Sequence, residues 1–236
     1  MDQPPDTEAE HAGGHRVIVV VPAYNEGATI EAVVRELRAE GVRVVVVDDG
    51  SKDDTGAVAR SAGAEVLRHA INRGQGAAIQ TGIAHALRRA ADVVVTFDAD
   101  GQHDAKDIHG LAAPVLAAQC DVALGSRFLD GRSDVPPARR VVLMLGVLFT
   151  RLISRVRLTD THNGLRAFSR RAARELTISM DGMAHASEII DQIRTHGWRY
   201  REVPVAVRYT PYSLGKGQRS SNAVRIALEM LAEKLR

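Results

Sequence analysis

The sequence holds a single cysteine, Cys120, in 236 residues, which excludes an intramolecular disulfide framework and the small secreted scaffolds that depend on one. Aromatic residues are scarce, at 4%, so the core has to be built from aliphatic side chains. Long apolar runs are missing too. The longest, Val141 to Phe149, covers nine residues counting Gly146, against about 20 for a helix that crosses a bilayer. The first fifteen residues match neither a signal peptide nor a transit peptide and are expected to form a loose tail. No His/Cys cluster with zinc spacing occurs, no Walker loop occurs, and no G-x-G-x-x-G turn follows the first apolar run. Zinc, P-loop and dinucleotide-fold readings fall away with them. A cytoplasmic location is the default expectation.

The composition is that of a folded globular chain, 45% hydrophobic and 25% charged, with enough apolar surface to offset the ordering entropy. The net charge of +2 hides a division. Residues 1–126 carry 11 Lys/Arg against 19 Asp/Glu, and residues 127–236 carry 20 against 10. Ten of the later cations fall between Arg132 and Arg174, a stretch with two acids, Asp134 and Asp160. Such a stretch attracts phosphates, anionic headgroups or nucleic acid, or is a solvated arginine-rich surface. Neither a nucleic-acid recognition motif nor an aromatic stacking platform accompanies it, so nucleic acid is not expected as a partner.

Hydrophobic periodicity predicts alternating strands and helices in the first half. Strands are expected at 16–21, 42–47, 65–67, 92–97 and 122–124, with helices at 27–40, 54–62, 75–89 and 107–118. In the first helix Ile30, Val33, Val34 and Leu37 recur at i, i+3, i+4, i+7. Spacing of this βαβ kind predicts an α/β fold with a mostly parallel central sheet, helices on both faces, and ligands at the carboxyl ends of the strands. Beyond Gly125 the pattern changes to a Pro/Arg-rich link (130–140), an amphipathic segment (141–157), a polar loop (159–166), a helix (184–196), an alternating strand (198–209) and a terminal helix (221–235).

Each long strand of the first half runs into polar residues: Pro22-Ala23-Tyr24-Asn25-Glu26, then Asp48-Asp49-Gly50-Ser51, then Asp98-Ala99-Asp100-Gly101-Gln102-His103. In an extended segment Asp98 and Asp100 project to the same side and Gln102 continues the row. Oxygen ligands of this kind suit Mg²⁺ or Mn²⁺ holding a diphosphate, or else the row is a helix-capping turn. His103 reads as a loop histidine. In Asn72-Arg73-Gly74-Gln75-Gly76 the glycines permit close backbone approach, and free amides with Arg73 can hold an anion; a tight turn explains them as well.

Together with Gly125-Ser126-Arg127 and Asn163-Gly164-Leu165-Arg166-Ala167-Phe168, these motifs resemble family 2 of the inverting glycosyltransferases over about residues 16–210, in particular the polyprenyl-phosphate hexosyltransferases of the dolichol-phosphate mannosyltransferase type. The resemblance implies a GT-A nucleotide-sugar-binding fold. It implies a catalytic domain at 16–209, with a donor half (16–126) and an acceptor half (127–209), a flexible tail at 1–15, and a loop and C-terminal helix at 210–236. By the same likeness Pro22, Tyr24, Glu26 and Asp49 serve the donor's base and ribose, with Arg73 and Gly76 beside it. Asp98, Asp100 and Gln102 hold the metal and diphosphate, Arg127 faces the phosphates, and Arg139 serves the acceptor phosphate, with Asp160 and Arg166 on the same side. Many family members carry a membrane region after this domain; no apolar run of that length stands here.

The implied donor is a nucleotide diphospho-sugar of the UDP-glucose or GDP-mannose class, the implied acceptor a polyprenyl phosphate. A lipid phosphate is already an anion and needs no base, whereas a hydroxyl acceptor does, with Asp160 and Glu188 as candidates. A non-catalytic nucleotide-sugar-binding protein is the remaining alternative. The segment Arg139 to Arg155 suits a helix lying in a bilayer surface, or a core helix with charged ends. Residues Tyr212 to Gln218 resemble a loop of short family members that work beside a small membrane protein, which implies such a partner and a peripheral position at the inner face of the membrane.

Overall fold

The computed structural model describes residues 15–133, 135–154, 156–161, 163–180 and 184–209. The strands are β1 (Val17–Ala23), β2 (Arg43–Asp48), β3 (Glu65–Arg68), β4 (Val93–Thr96), β5 (Val122–Ser126), β6 (Arg166–Ser169) and β7 (Tyr200–Pro204). The helices are α1 (Ile30–Ala39), α2 (Thr55–Ser61), α3 (Gln75–Arg88), α4 (Asp107–Leu116), α5 (Pro137–Ser154), α6 (Arg170–Glu175) and α7 (His185–Thr195). The strands make one sheet in the order β3-β2-β1-β4-β6-β5-β7. All neighbours pair in parallel except β6, which runs antiparallel to both β4 and β5.

The β-branched runs explain why the sheet sits at the centre. All seven residues of β1 are buried, as expected for a strand covered on both faces. Its odd positions, Val17, Val19 and Val21, pack with α1, α2 and α4, and its even positions, Ile18 and Val20, pack with α3, α6 and α7. The stripe Ile30, Val33, Val34 and Leu37 is the buried face of α1. Each such side chain contributes about 1.5–3 kcal/mol through removal from water. Gly82 lets α3 lie close against β1, because a Cβ there would run into Val20.

The second half departs from the sequence expectation in three places. Residues 166–169, placed at the end of a polar loop and beyond it, form β6, with α6 directly after it, capped by the Ser169 hydroxyl, which accepts the Ala172 amide at 3.2 Å. The strand expected over 198–209 is limited to β7, followed by a single bridge between His103 and Val207. Helix α5 starts at Pro137, inside the expected link. It packs against α7 and buries Val147 and Thr150, yet leaves Val141, Val142, Met144, Leu145 and Leu148 exposed. A core helix would hide these residues, so that reading of the segment is set aside. The helix expected at 221–235 lies outside the described residues.

Candidate active site

The carboxyl ends of β1, β2 and β4 share one edge, and their loops are stitched together there. Asn25 takes a positive φ of 53°. Its amide donates to Ser51 Oγ at 3.0 Å, and its side-chain oxygen accepts the Lys52 amide at 2.8 Å. The Glu26 amide donates to Thr55 Oγ1 at 2.8 Å. Gly50 has φ +72° and lies so close to Ile71 and Asn72 that a Cβ would sit 2.6 Å from a backbone atom, which leaves glycine as the residue that fits. Tyr24 stands exposed on this rim and Glu26 half-buried, whereas Pro22 is a buried residue of β1 in register with Val47.

Asp49 faces inward. Its carboxylate accepts the Arg73 amide at 2.9 Å, the Gly74 amide at 2.7 Å and His69 Nδ1 at 2.7 Å. The amides that the sequence offered to a bound anion therefore hold the protein's own anion, and the Arg73 side chain is exposed. The close approach permitted by Gly76 is likewise taken up internally. A Cβ there would strike the Met180 carbonyl and come within 3.1 Å of Ile178 and His185.

The acidic row follows β4. Asp98 Oδ1 accepts Gln75 Nε2 at 3.0 Å, and Oδ2 lies 3.2 Å from His103 Nε2. Burial pushes the Asp98 carboxyl up, but the bond and charge of His103, with the charges of Arg166 and His185, outweigh it and hold its pKa below the usual carboxylate range. The Asp100 carboxyl moves the other way, raised by burial, by the negative charge of Asp98 and by Glu26. Asp100 Oδ1 accepts the Gln102 amide at 3.0 Å, and Gln102 Nε2 is buried with no hydrogen-bond partner among the described residues. A hard divalent cation takes oxygen ligands, which the carboxylates of Asp98 and Asp100 and the side-chain oxygen of Gln102 could supply. Among the described residues no group of three His, Cys, Asp or Glu side chains stands together to hold a metal. An ion held by this row would have to draw its remaining ligands from water and substrate phosphate, as Mg²⁺ commonly does.

Across from this row is a buried arginine group. Arg127 Nε donates to Asp160 Oδ2 at 2.6 Å, and its Nη1 to Tyr209 Oη at 3.0 Å. Both members of the ion pair are about 95% buried or more. Asp160 raises the Arg127 pKa against the effect of burial. Arg166, in β6, is buried as well; burial lowers its pKa, and the charges of Asp98 and Asp160 act on it from either side. Arg139 stacks its guanidinium over the Tyr209 ring at 5.2 Å. Arg127, expected to face phosphates, is thus turned onto Asp160 and Tyr209. Glu188, one of the two carboxylates considered as a base, accepts from Ser179 and Met180 with both oxygens.

The structure brings Asp98, Asp100, Gln102 and Arg166 together and joins Arg127, Asp160 and Arg139 through Tyr209. Three participants were not assigned to the site from the sequence: His103, read as a loop histidine, Gln75 as an Asp98 donor, and Gly164, where a Cβ would stand 2.6 Å from Asp98 Cγ. His103 follows the acidic row directly and Gly164 lies in the quoted Asn-Gly motif, so both signals were visible. What they touch was not.

A mostly parallel sheet with an acidic row at its carboxyl edge and arginines opposite defines a GT-A glycosyltransferase. The model of glycosyl transferase family 2 matches residues 18–177, and the chain belongs to that family. It is 30% identical to the UDP-N-acetylglucosamine–dolichyl-phosphate N-acetylglucosaminyltransferase of Methanococcus voltae, over 93% of this chain and 96% of that one. It is also 30% identical to the polyprenol monophosphomannose synthase of Mycolicibacterium smegmatis, over 92% and 86%. Among solved structures, glucosyl-3-phosphoglycerate synthase of Mycobacterium tuberculosis, in complex with Mn²⁺, UDP and glucosyl-3-phosphoglycerate, superposes with a TM-score of 0.70 at 24% identity, covering 97% of this chain and 85% of that one.

Proposed function

We propose that this glycosyltransferase moves a hexose, with inversion, from a nucleotide diphospho-sugar to a polyprenyl phosphate, using Mg²⁺ or Mn²⁺. The observation that carries the reading is the opposition of the Asp98/Asp100/Gln102 row to the Arg127/Arg166 group, with Arg166 within electrostatic reach of both Asp98 and Asp160. The names of the Methanococcus and Mycolicibacterium relatives, each describing sugar linkage to a lipid phosphate, support the acceptor class.

Tyr24 and Glu26 stand on the open rim, where the donor's base and ribose would bind. Asp98, Asp100 and Gln102 would hold the divalent ion, which when bound supplies Lewis-acid stabilisation of the departing diphosphate. Arg127, still held by Asp160, and Arg139 would bind the acceptor phosphate. Arg166 keeps a fixed positive charge between the two substrates, where it opposes the negative charge that grows on the leaving group. Asp160 is tied to Arg127 and Glu188 to Ser179 and Met180, which favours a nucleophile that arrives already ionised over a hydroxyl that needs a base.

Among the described residues no helix is long and apolar enough to cross a membrane. The exposed apolar residues of α5, flanked by Arg139, Arg140 and Arg151, support peripheral contact with an anionic bilayer surface, where a lipid acceptor is found. The loop that resembles a contact for a small membrane protein, 212–218, lies outside the described residues.

The test is thermal stabilisation by a panel of UDP- and GDP-sugars with and without Mn²⁺, followed by transfer of labelled sugar to a short polyprenyl phosphate. Metal-dependent stabilisation by one nucleotide class is expected, largely abolished in Asp100→Ala. An unchanged response in that variant removes Asp100 from the metal row, and transfer only to hydroxyl acceptors removes the lipid phosphate.

A further inference from the structure

Asp98 is held by more than its place in the chain. Its Oδ1 accepts Gln75 Nε2 from the first residue of α3, at 3.0 Å. Its Oδ2 meets His103 Nε2 at 3.2 Å, and Gly164 lies against the carboxylate with no room for a Cβ. The two donors come from segments 28 residues apart and approach one oxygen each, so together they set the plane of the carboxylate. A carboxylate oxygen can accept two hydrogen bonds and each accepts one here, so one lone pair on each is left for a further partner.

The His103 ring is itself fixed. It is buried at 4% exposure and meets Phe97 edge-on, with centroids 5.4 Å apart at 66°. Its backbone is bridged to Val207, and on either side Arg208 N donates to the Gln102 carbonyl at 2.7 Å and Arg208 Nη2 to Asp104 Oδ2 at 2.8 Å. His103 Nδ1 is buried with no hydrogen-bond partner among the described residues. An ionised carboxylate can only accept, so Nε2 carries a hydrogen and donates it to Asp98. Gln75 is placed just as firmly, because α3 begins where the Asp49 carboxylate gathers the Arg73 and Gly74 amides.

We propose that His103 and Gln75 are positioning residues that clamp Asp98, one on each carboxylate oxygen, in the orientation that receives the divalent ion. The inference rests on the metal reading of the acidic row and adds to it two residues that touch neither metal nor substrate. Hydrogen bonds to a ligating carboxylate fix its direction, and removing such a partner typically costs about 10–100-fold in metal affinity.

The experiment titrates Mn²⁺, alone and with UDP or GDP, into the purified full chain, following free Mn²⁺ by electron paramagnetic resonance, with the metal-free melting temperature measured in parallel. His103→Phe keeps the ring and its packing on Phe97 but removes the donor; Gln75→Leu removes the other donor at an independent site. Each is expected to raise the Mn²⁺ dissociation constant by about tenfold or more, with the metal-free melting temperature near that of the wild type. His103→Gln, whose amide reaches the position of Nε2, is expected to restore most of the affinity. The clamp is overturned by wild-type affinity in both His103→Phe and Gln75→Leu, or by a loss in His103→Gln as large as that in His103→Phe. Absence of Mn²⁺ binding by the wild-type chain overturns the metal reading and the clamp together, which separates the two failures.

Discussion

Replacing Gly164 by alanine isolates the geometry of the acidic row. Glycine 164 lies outside the left-handed region, so alanine meets no backbone strain there; the obstacle is spatial. A Cβ would stand 2.6 Å from Asp98 Cγ and Oδ1, and closer still to Oδ2, against an ordinary contact of 3.4 Å or more. The 164 backbone cannot readily retreat, because its carbonyl accepts Thr96 Oγ1 at 2.7 Å. Asp98 must then give way by about 1 Å, a misplacement that costs an active site on the order of 100-fold. That corresponds to about 2.7 kcal/mol of transition-state stabilisation. The variant should remain folded, since overpacking of this size costs about 1–3 kcal/mol. The assay is kcat/KM for sugar transfer to a polyprenyl phosphate at saturating Mn²⁺, beside a urea titration. A kcat/KM within about twofold of wild type would refute the reasoning, because it would show that the carboxylate can move without consequence.

Two further outcomes are expected. Asp160→Ala leaves Arg127 buried without its 2.6 Å partner and should lower unfolding stability by about 3–5 kcal/mol; an unchanged urea midpoint would show that Tyr209 and water compensate. At Asp121, burial raises the carboxyl pKa, but the hydrogen bonds from Arg199 and the contact with Arg171 lower it further, to a net value below the ordinary one. A depressed carboxylate stabilises the fold above its unfolded pKa of about 4 and loses that contribution as pH falls through the folded value. Asp121→Asn should therefore be less stable than wild type at neutral pH and converge with it in acid. An equal deficit at both pH values would show that the charge of Asp121 is not what matters.

The parts of this fold that were legible in the sequence are those in which a single element carries its own signal. The spacing of Ile30, Val33, Val34 and Leu37 needs no partner to announce a buried helix face, and the valine runs of β1 and β2 are apolar on both sides because both sides are covered. Strand β6 gave no such signal: it is four residues long, begins with an arginine and ends with a serine, and is a strand because β4 and β5 flank it. In the site, the residue types were legible and their partners were not. The Arg73 and Gly74 amides looked open to a ligand because nothing local shows that Asp49, more than twenty residues earlier, turns back onto them. The pairing of Arg127 with Asp160 joins residues 33 apart, and a lone arginine after a strand reads equally well as one facing solvent. His103 was passed over because a histidine in a loop is ordinary until its burial is known.

The borrowed position of β6 also constrains how the polypeptide is assembled. Between β4 and β5 runs a strand that is synthesised after both. A nascent chain halted after Ser126 would present β4 with one bare margin and β5 with no neighbour at all, the kind of edge that recruits other chains into aggregates. The middle of the sheet is thus among the last parts to zip shut, and expressing residues 16–126 as an independent fragment is expected to yield insoluble material.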